Sequence, residues 1–176
     1  MANRVPVSEP LPPLRFRPVR PAELGPVFDV LEEVSRWEEE IGLPHPWPRP
    51  FPRERMTEAA ARGEVYAIED DRGEMLGTVT LQWEDLPFWG ARPPDAGYVH
   101  RLAVRRRHAG RSIGRRALDW AETETRNRGR IYLRLDCLVE SDRLHAYYTL
   151  AGFSPIGDVT VGGLRCRLYE RRIGPM

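Results

Sequence analysis

The chain has no lysine: all 27 of its basic residues are arginine. Cysteine is scarce too. Cys137 and Cys166 are too few for a disulfide framework and have no metal-binding spacing. The four histidines, His45, His100, His108 and His145, do not pair at ligand spacing, so no metal site is expected. No apolar run approaches the roughly 20 residues of a membrane span. The N-terminal stretch "MANRVPVSEPLPPL" lacks an apolar signal core. These absences predict no membrane association, no export and a cytoplasmic location. Net excess charge is also missing, at +1 over 176 residues, a length that suits one core better than two.

The charge that is present is unevenly placed. Residues 101–130 hold ten arginines against Asp119, Glu122 and Glu124, a local net of +7, while the remainder of the chain is net −6. The densest stretch is "RRRHAGRSIGRR" (105–116), with six arginines around Gly110, Ser112 and Gly114. Concentrated cations imply a local anion. A nucleic acid, a membrane surface and a phosphorylated small molecule each fit that description. Arginine suits phosphate because its planar fork binds two oxygens at once.

Hydrophobic periodicity and breaker residues divide the chain into elements. Residues 1–13 read as a proline-rich tail and 14–173 as one domain. "LRFRPVR" (14–20) alternates as a strand. Residues 21–42 carry Leu24, Val27, Phe28, Val30, Leu31 and Val34 at helical spacing, as one helix or two broken at Gly25-Pro26. The proline-rich 43–52 is an extended loop, and 53–63 is a short helix ending at a glycine. "EVYAIED" and "MLGTVTLQWED" form a hairpin across "DRGE". "LPFWGARPPDA" (86–96) reads as a loop and "GYVHRLAV" as a strand. Helices over 115–129 and 141–152 alternate with a strand over 132–139, with Ser141 as N-cap of the latter helix. Two closing strands meet at Gly162-Gly163. The order predicts an α/β (α+β) domain: about seven mostly antiparallel strands flanked by about four helices.

The arginine-rich stretch therefore lies between a strand ending near Val104 and a helix starting near Gly114. Glycines there can turn several N–H groups toward one point, and the helix N-terminus adds partial positive charge. Such a cradle suits a diphosphate. The spacing is neither a Walker A loop nor a dinucleotide fingerprint, and without a Lys-Ser or Lys-Thr pair nucleotide hydrolysis is disfavoured.

"LAVRRRHAGRSIGRRAL" followed by "YYTLAGF" resembles the GNAT superfamily of acyl-CoA N-acyltransferases, and the likeness extends over about residues 14–172. That family places Arg or Gln, two residues, Gly, one residue, then Gly or Ala after a strand ending in "LAV". Here the three positions hold Ala109, Ser112 and Gly114, so two depart from the pattern, while Gly110 matches a glycine common inside it. Arg107 and Arg111 are candidates to replace the missing cation, and Arg105, Arg106 and Arg116 are expected to be solvated or near the adenosine phosphate.

The resemblance implies acetyl-CoA as cosubstrate and a small amine as acceptor, with direct attack in a ternary complex. It implies that Ala109, Gly110, Arg111, Ser112, Ile113 and Gly114 cradle the pyrophosphate. The backbone of Leu102, Ala103 and Val104 would pair with pantetheine, beside a bulge and a splay of neighbouring strands. Ser141 stands where the family often has a pantetheine-contacting asparagine. Tyr148, in "YTLAGF", would be the general acid, its phenol suited to protonating a thiolate. Tyr147 is expected to face elsewhere. His100 is a candidate base on its strand, or a histidine idle on a sheet face. Glu84 and Asp85 are alternative bases or ammonium-binding groups. His108 and His145 read as surface residues and Cys137 as a small buried one. The acidic run "EEVSRWEEEIG" and the loop "LPFWGARPP" hint at a cationic or partly aromatic acceptor. No nucleic-acid partner is expected, and a homodimer is left open. Two other readings stand beside this one: a non-catalytic acyl-CoA binder of the same fold, and a nucleic-acid module using the arginine cluster.

Overall fold

The alternation at the N-terminal end forms β1 (Arg15–Pro18), an edge strand. After a 3-10 turn at Pro21–Glu23 comes α1 (Gly25–Glu40), then α2 (Arg53–Ala61) and the hairpin of β2 (Val65–Glu69) and β3 (Met75–Gln82). A short helix α3 (Leu86–Trp89) precedes β4 (Ala96–Val104), and a 3-10 turn at Arg106–His108 leads into α4 (Ile113–Asn127). β5 (Tyr132–Leu138), α5 (Asp142–Leu150), β6 (Ser154–Val161) and β7 (Leu164–Arg172) complete the chain. This computed structural model describes residues 13–43, 47 and 51–174. The expected tail, His45 and most of the 43–52 loop lie outside them.

Gly25-Pro26 opens α1 rather than breaking a helix, because proline in a first turn gives up only an N–H with no partner there. Val27, Phe28, Val30, Leu31 and Val34 then bury one face of α1 against α2 and the sheet. The β2–β3 turn is closed by Asp70, whose carboxylate accepts from the N–H groups of Arg72 and Glu74. The segment expected to be all loop contains α3. Asp85 caps it by accepting from Phe88 N–H, and Pro87 sits in its first turn.

The seven strands lie in the order β1-β2-β3-β4-β5-β7-β6, and only β4 and β5 run parallel. The crossover between those two is α4, whose stripe of Ile113, Ala117, Leu118 and Ala121 packs on Val99, Leu133 and Leu135. One buried cation holds the β5 side together. Arg134 donates to Glu170, Asp95 and the Tyr98 hydroxyl at 2.8–3.0 Å. Removing one partner of such a buried pair costs about 3–5 kcal/mol.

Two irregularities of β4 create the working space. Thr78 and Thr80 of β3 face Ala103 and His100, so β4 bulges between those rungs, with Arg101 at φ 48. β4 and β5 also stay paired only from Ala96↔Tyr132 to Tyr98↔Arg134. Beyond Tyr98 the strands splay, and the β5-facing edge of β4 is left without a strand partner. Backbone groups there must find other partners.

Candidate active site

A cavity of about 450 Å³ opens at this splay. β4 lines it with Leu102, Ala103 and Val104; the following loop adds Ala109, Gly110 and Ser112; α4 adds Ile113, Gly114 and Arg115. From the other side come Ser141, Leu144, Tyr147 and Tyr148. The residues expected to hold the cofactor thus share one cavity, except Arg111, which is exposed and lines none of it.

Local backbone conformation shapes the loop end. Gly110 has φ 79, in the left-handed region that glycine adopts without a Cβ penalty. Ser112 is held at φ 57, which explains why a motif of this shape carries glycine at that position. Ser112 gives no side-chain cap to α4, so the first N–H groups of the helix remain available to a ligand. A Cβ on Gly114 would come within 2.8 Å of the Tyr147 hydroxyl, so a larger residue here would displace that hydroxyl where α4 and α5 meet. Tyr147 does not face elsewhere, as expected from sequence: it lines the cavity and packs edge-on against Tyr148 with ring centroids 5.4 Å apart. Consecutive helical residues can share a cavity when it wraps around the helix end.

Most of the clustered arginines are occupied by protein groups. Arg105 is mostly buried and keeps 17% of its side chain exposed: it donates to Glu33 at 2.7 Å and to the Met75 carbonyl. Glu33 also accepts from the Arg106 N–H, which fastens α1 to this loop. Arg107 pairs with Glu74. Arg106 lies 3.5 Å over the Trp37 ring, and Arg143 of α5 approaches the same ring at 5.2 Å. The arginines that line the cavity are Arg106, Arg115 and Arg143, of which Arg115 also donates to the Leu150 carbonyl and to Asp119.

Two histidines expected at the surface are inside. His108 is buried in the cavity wall; its Nε2 faces Glu74 at 3.1 Å and its Nδ1 has no partner. His145 donates from Nε2 to the Val139 carbonyl and accepts at Nδ1 from the Tyr169 hydroxyl, both at 2.8 Å. The site fits coenzyme A on these observations: free helix-end amides, a buried imidazole nitrogen without a partner, and three arginines.

Burial dominates the chemistry of the cavity's titratable groups. It pushes the Tyr148 phenol well above its ordinary range, helped by the negative charges of Asp136 and Glu38. The hydroxyl therefore holds its proton until a strong base develops beside it. Burial also raises the Glu38 carboxyl to about 7, against the pull of Arg143 and Arg106. Its Oε2 is buried without a hydrogen-bond partner. Cys137 and Cys166 are both buried and pushed up to about 12, which leaves neither as a thiolate nucleophile.

His100 does not line this cavity. It lies half-buried between two carboxylates, with Nε2 at 3.2 Å from Asp85 and Nδ1 at 3.7 Å from Asp136. One ligand atom from each of the three falls within 4.8 Å of the others. Histidine spacing in the sequence could not reveal this set, because its members come from three separated segments. Asp85 and Glu84 also border a second cavity of about 370 Å³ that shares no lining residue with the first. Sequence reading missed Asp136 and Arg143, and took Trp37 and Glu38 only as part of an acidic run on the acceptor side. Asp136 left one signal: in "YLRLDCL" it shares a strand face with Arg134, away from the core face of Leu133, Leu135 and Cys137.

Residues 31–153 match the model of the Acetyltransferase (GNAT) family. Over 124 residues the chain is 35% identical to the N-acetyltransferase YesJ of Bacillus subtilis (strain 168), which covers 67% of this chain and 66% of that protein. Among solved structures, a GNAT-family acetyltransferase from Listeria monocytogenes superposes with a TM-score of 0.75 at 24% identity, over 90% of this chain and 94% of that one. The PaiA N-acetyltransferase of Thermoplasma acidophilum, solved with coenzyme A, gives 0.69 at 15% identity, over 91% and 99%.

Proposed function

The chain belongs to the acetyltransferase (GNAT) family, and on that premise we propose that it moves an acetyl group from acetyl-CoA to a primary amine of a small molecule. The observation that carries the reading is the single cavity joining the uncapped N-terminus of α4, the unpaired edge of β4 and Tyr148. Diphosphate binds at the amides of 110–114, with Arg115 and His108 adding charge-assisted bonds. Pantetheine runs along Leu102–Val104, and the Val104 N–H polarises the thioester carbonyl.

The amine arrives as an ammonium and gives one proton to His100. Its lone pair then forms the C–N bond while the C–S bond breaks. Tyr148 donates its proton to the leaving sulfur and regains one from the new amide nitrogen, so one proton is released overall. Both substrates are bound at once, and neither buried cysteine takes the acyl group.

The test is acetyl-CoA turnover with a panel of primary amines, read as released thiol. Tyr148→Phe keeps the ring and removes the hydroxyl. It should keep acetyl-CoA affinity and lose kcat on the order of 10- to 1000-fold. Full kcat in this variant would refute the acid role. No thiol release with any amine of the panel would leave only the binding protein of the same fold.

A further inference from the structure

The cluster at the strand splay is larger than a base and its neighbour. Asp85 Oδ2 and His100 Nε2 lie 3.2 Å apart but out of hydrogen-bond alignment, and both are buried without a partner. The Asp85 side chain is only 5% exposed. Asp136 stands one β-step beyond the last β4–β5 rung, Tyr98↔Arg134, beside His100. Unlike Arg134 on the same strand face, whose charge is answered by Glu170 and Asp95, Asp136 has no ion pair with arginine among the described residues.

We infer that Asp85, His100 and Asp136 together form the binding site for the acceptor's primary alkylammonium group, with Asp136 as the carboxylate that faces the reacting nitrogen. This deepens the acetyltransferase reading and rests on it for the identity of the acceptor.

Charge supports the assignment. One ligand atom from each of the three residues falls within 4.8 Å of the others, close enough to converge on one small group. Arg101, which is desolvated, acts on both carboxylates electrostatically without an ion pair to either among the described residues. Two carboxylates and one guanidinium leave one negative charge, which a monovalent cation balances. A dication would leave the site positive, and hard divalent ions seek six or more oxygen ligands. Burial holds the Asp136 carboxyl above its ordinary range, as expected of a group that lacks its counter-ion.

The geometry also offers a route. Asp85 borders the second cavity, while Leu102–Val104 border the first. An amine entering by the second cavity would reach the cluster at Asp85, apart from the residues that line the cofactor cavity. His100 then has one carboxylate near each ring nitrogen as it becomes imidazolium.

The experiment uses the full chain with saturating acetyl-CoA and n-butylamine, with Asp136→Asn and Asp85→Asn beside wild type. Coenzyme A affinity by calorimetry should stay within about twofold in both variants. KM for n-butylamine should rise about 10- to 100-fold, more for Asp136→Asn. Unchanged KM in both, or a parallel loss of coenzyme A affinity, overturns the assignment. A second measurement needs no turnover: the His100 ring resonances of wild type should shift on adding n-butylammonium chloride, and should not shift in Asp136→Asn. If no amine is acetylated yet His100 shifts, the acetyltransferase reading fails and the ammonium site stands. If amines are acetylated and His100 does not respond, the site fails alone. Shifts produced by Mg²⁺ or Zn²⁺ but not by n-butylammonium would mark a divalent-cation site and overturn the proposal.

Discussion

Two regions beside β4, one lining the first cavity and one outside it, carry opposite charge and are built from different parts of the chain. The loop end, from Val104 to Arg115, presents helix-end amides, the His108 nitrogen and arginines. Its partner groups are nearly contiguous in sequence, and backbone conformation does much of the work, at Gly110 and Ser112 above all. The splay end presents Asp85, His100 and Asp136, side chains from three segments that meet because β4 and β5 stop pairing. The first end rests on a conformation that one residue can spoil. The second rests on a charge arrangement that an isosteric substitution can neutralise without moving the backbone. Glu38 is the exception, a carboxylate inside the cationic half.

The largest break in this contrast should come from Gly110→Asp. It places a side chain at φ 79 and a negative charge where amides must face phosphate. Coenzyme A affinity should fall about 100-fold or more, the equivalent of about 3 kcal/mol, while His100 still responds to n-butylammonium. Calorimetry showing native affinity would move the phosphate away from this loop.

A middle effect separates arginines that face the cavity from those that do not. Arg115→Ala should cost about 1–3 kcal/mol of coenzyme A binding, as for a charge-assisted hydrogen bond. Arg111→Ala, exposed and outside the cavity wall, should cost little. Equal losses at both positions would replace the defined cradle with a diffuse basic patch.

The smallest effect concerns Glu38. Its carboxyl is raised from 4.5 to about 7 in the folded protein by burial, with Arg143 and Arg106 opposing the rise. The folded chain therefore keeps a proton that the unfolded chain loses between those values, and stability falls as pH rises through that window. Glu38→Gln has no such group. Its melting temperature should match wild type near pH 4 and exceed it by a few degrees at pH 8, since 1 kcal/mol shifts a chain of this size by about 2–4 °C. A constant offset across the range would mean that Glu38 is ionised throughout.

How much of this was legible follows the same division. The strands, the four longer helices and their order could be read because period-2 and period-3.6 patterns and terminal glycines are local. Gly25-Pro26 misled only about where α1 begins, and α3 was hidden because a cap and a proline specify a single turn weakly. The glycine-rich turn was legible for the same reason: a turn between strand and helix is a short-range conformation written in adjacent residues. Which arginines face the cavity was not, because Arg105 and Arg107 are claimed by Glu33 and Glu74 from other elements. His108, His145 and Tyr147 looked peripheral because burial depends on what packs over a residue. The sequence by itself determined the elements, the family likeness and the glycine-rich turn. Only the tertiary structure decided that Asp136 lies beside His100, that Glu38 enters the cationic half, and that Asp85 joins the same cluster. Those contacts arise where a bulge and a splay bring distant chain segments together, and no local periodicity encodes that meeting.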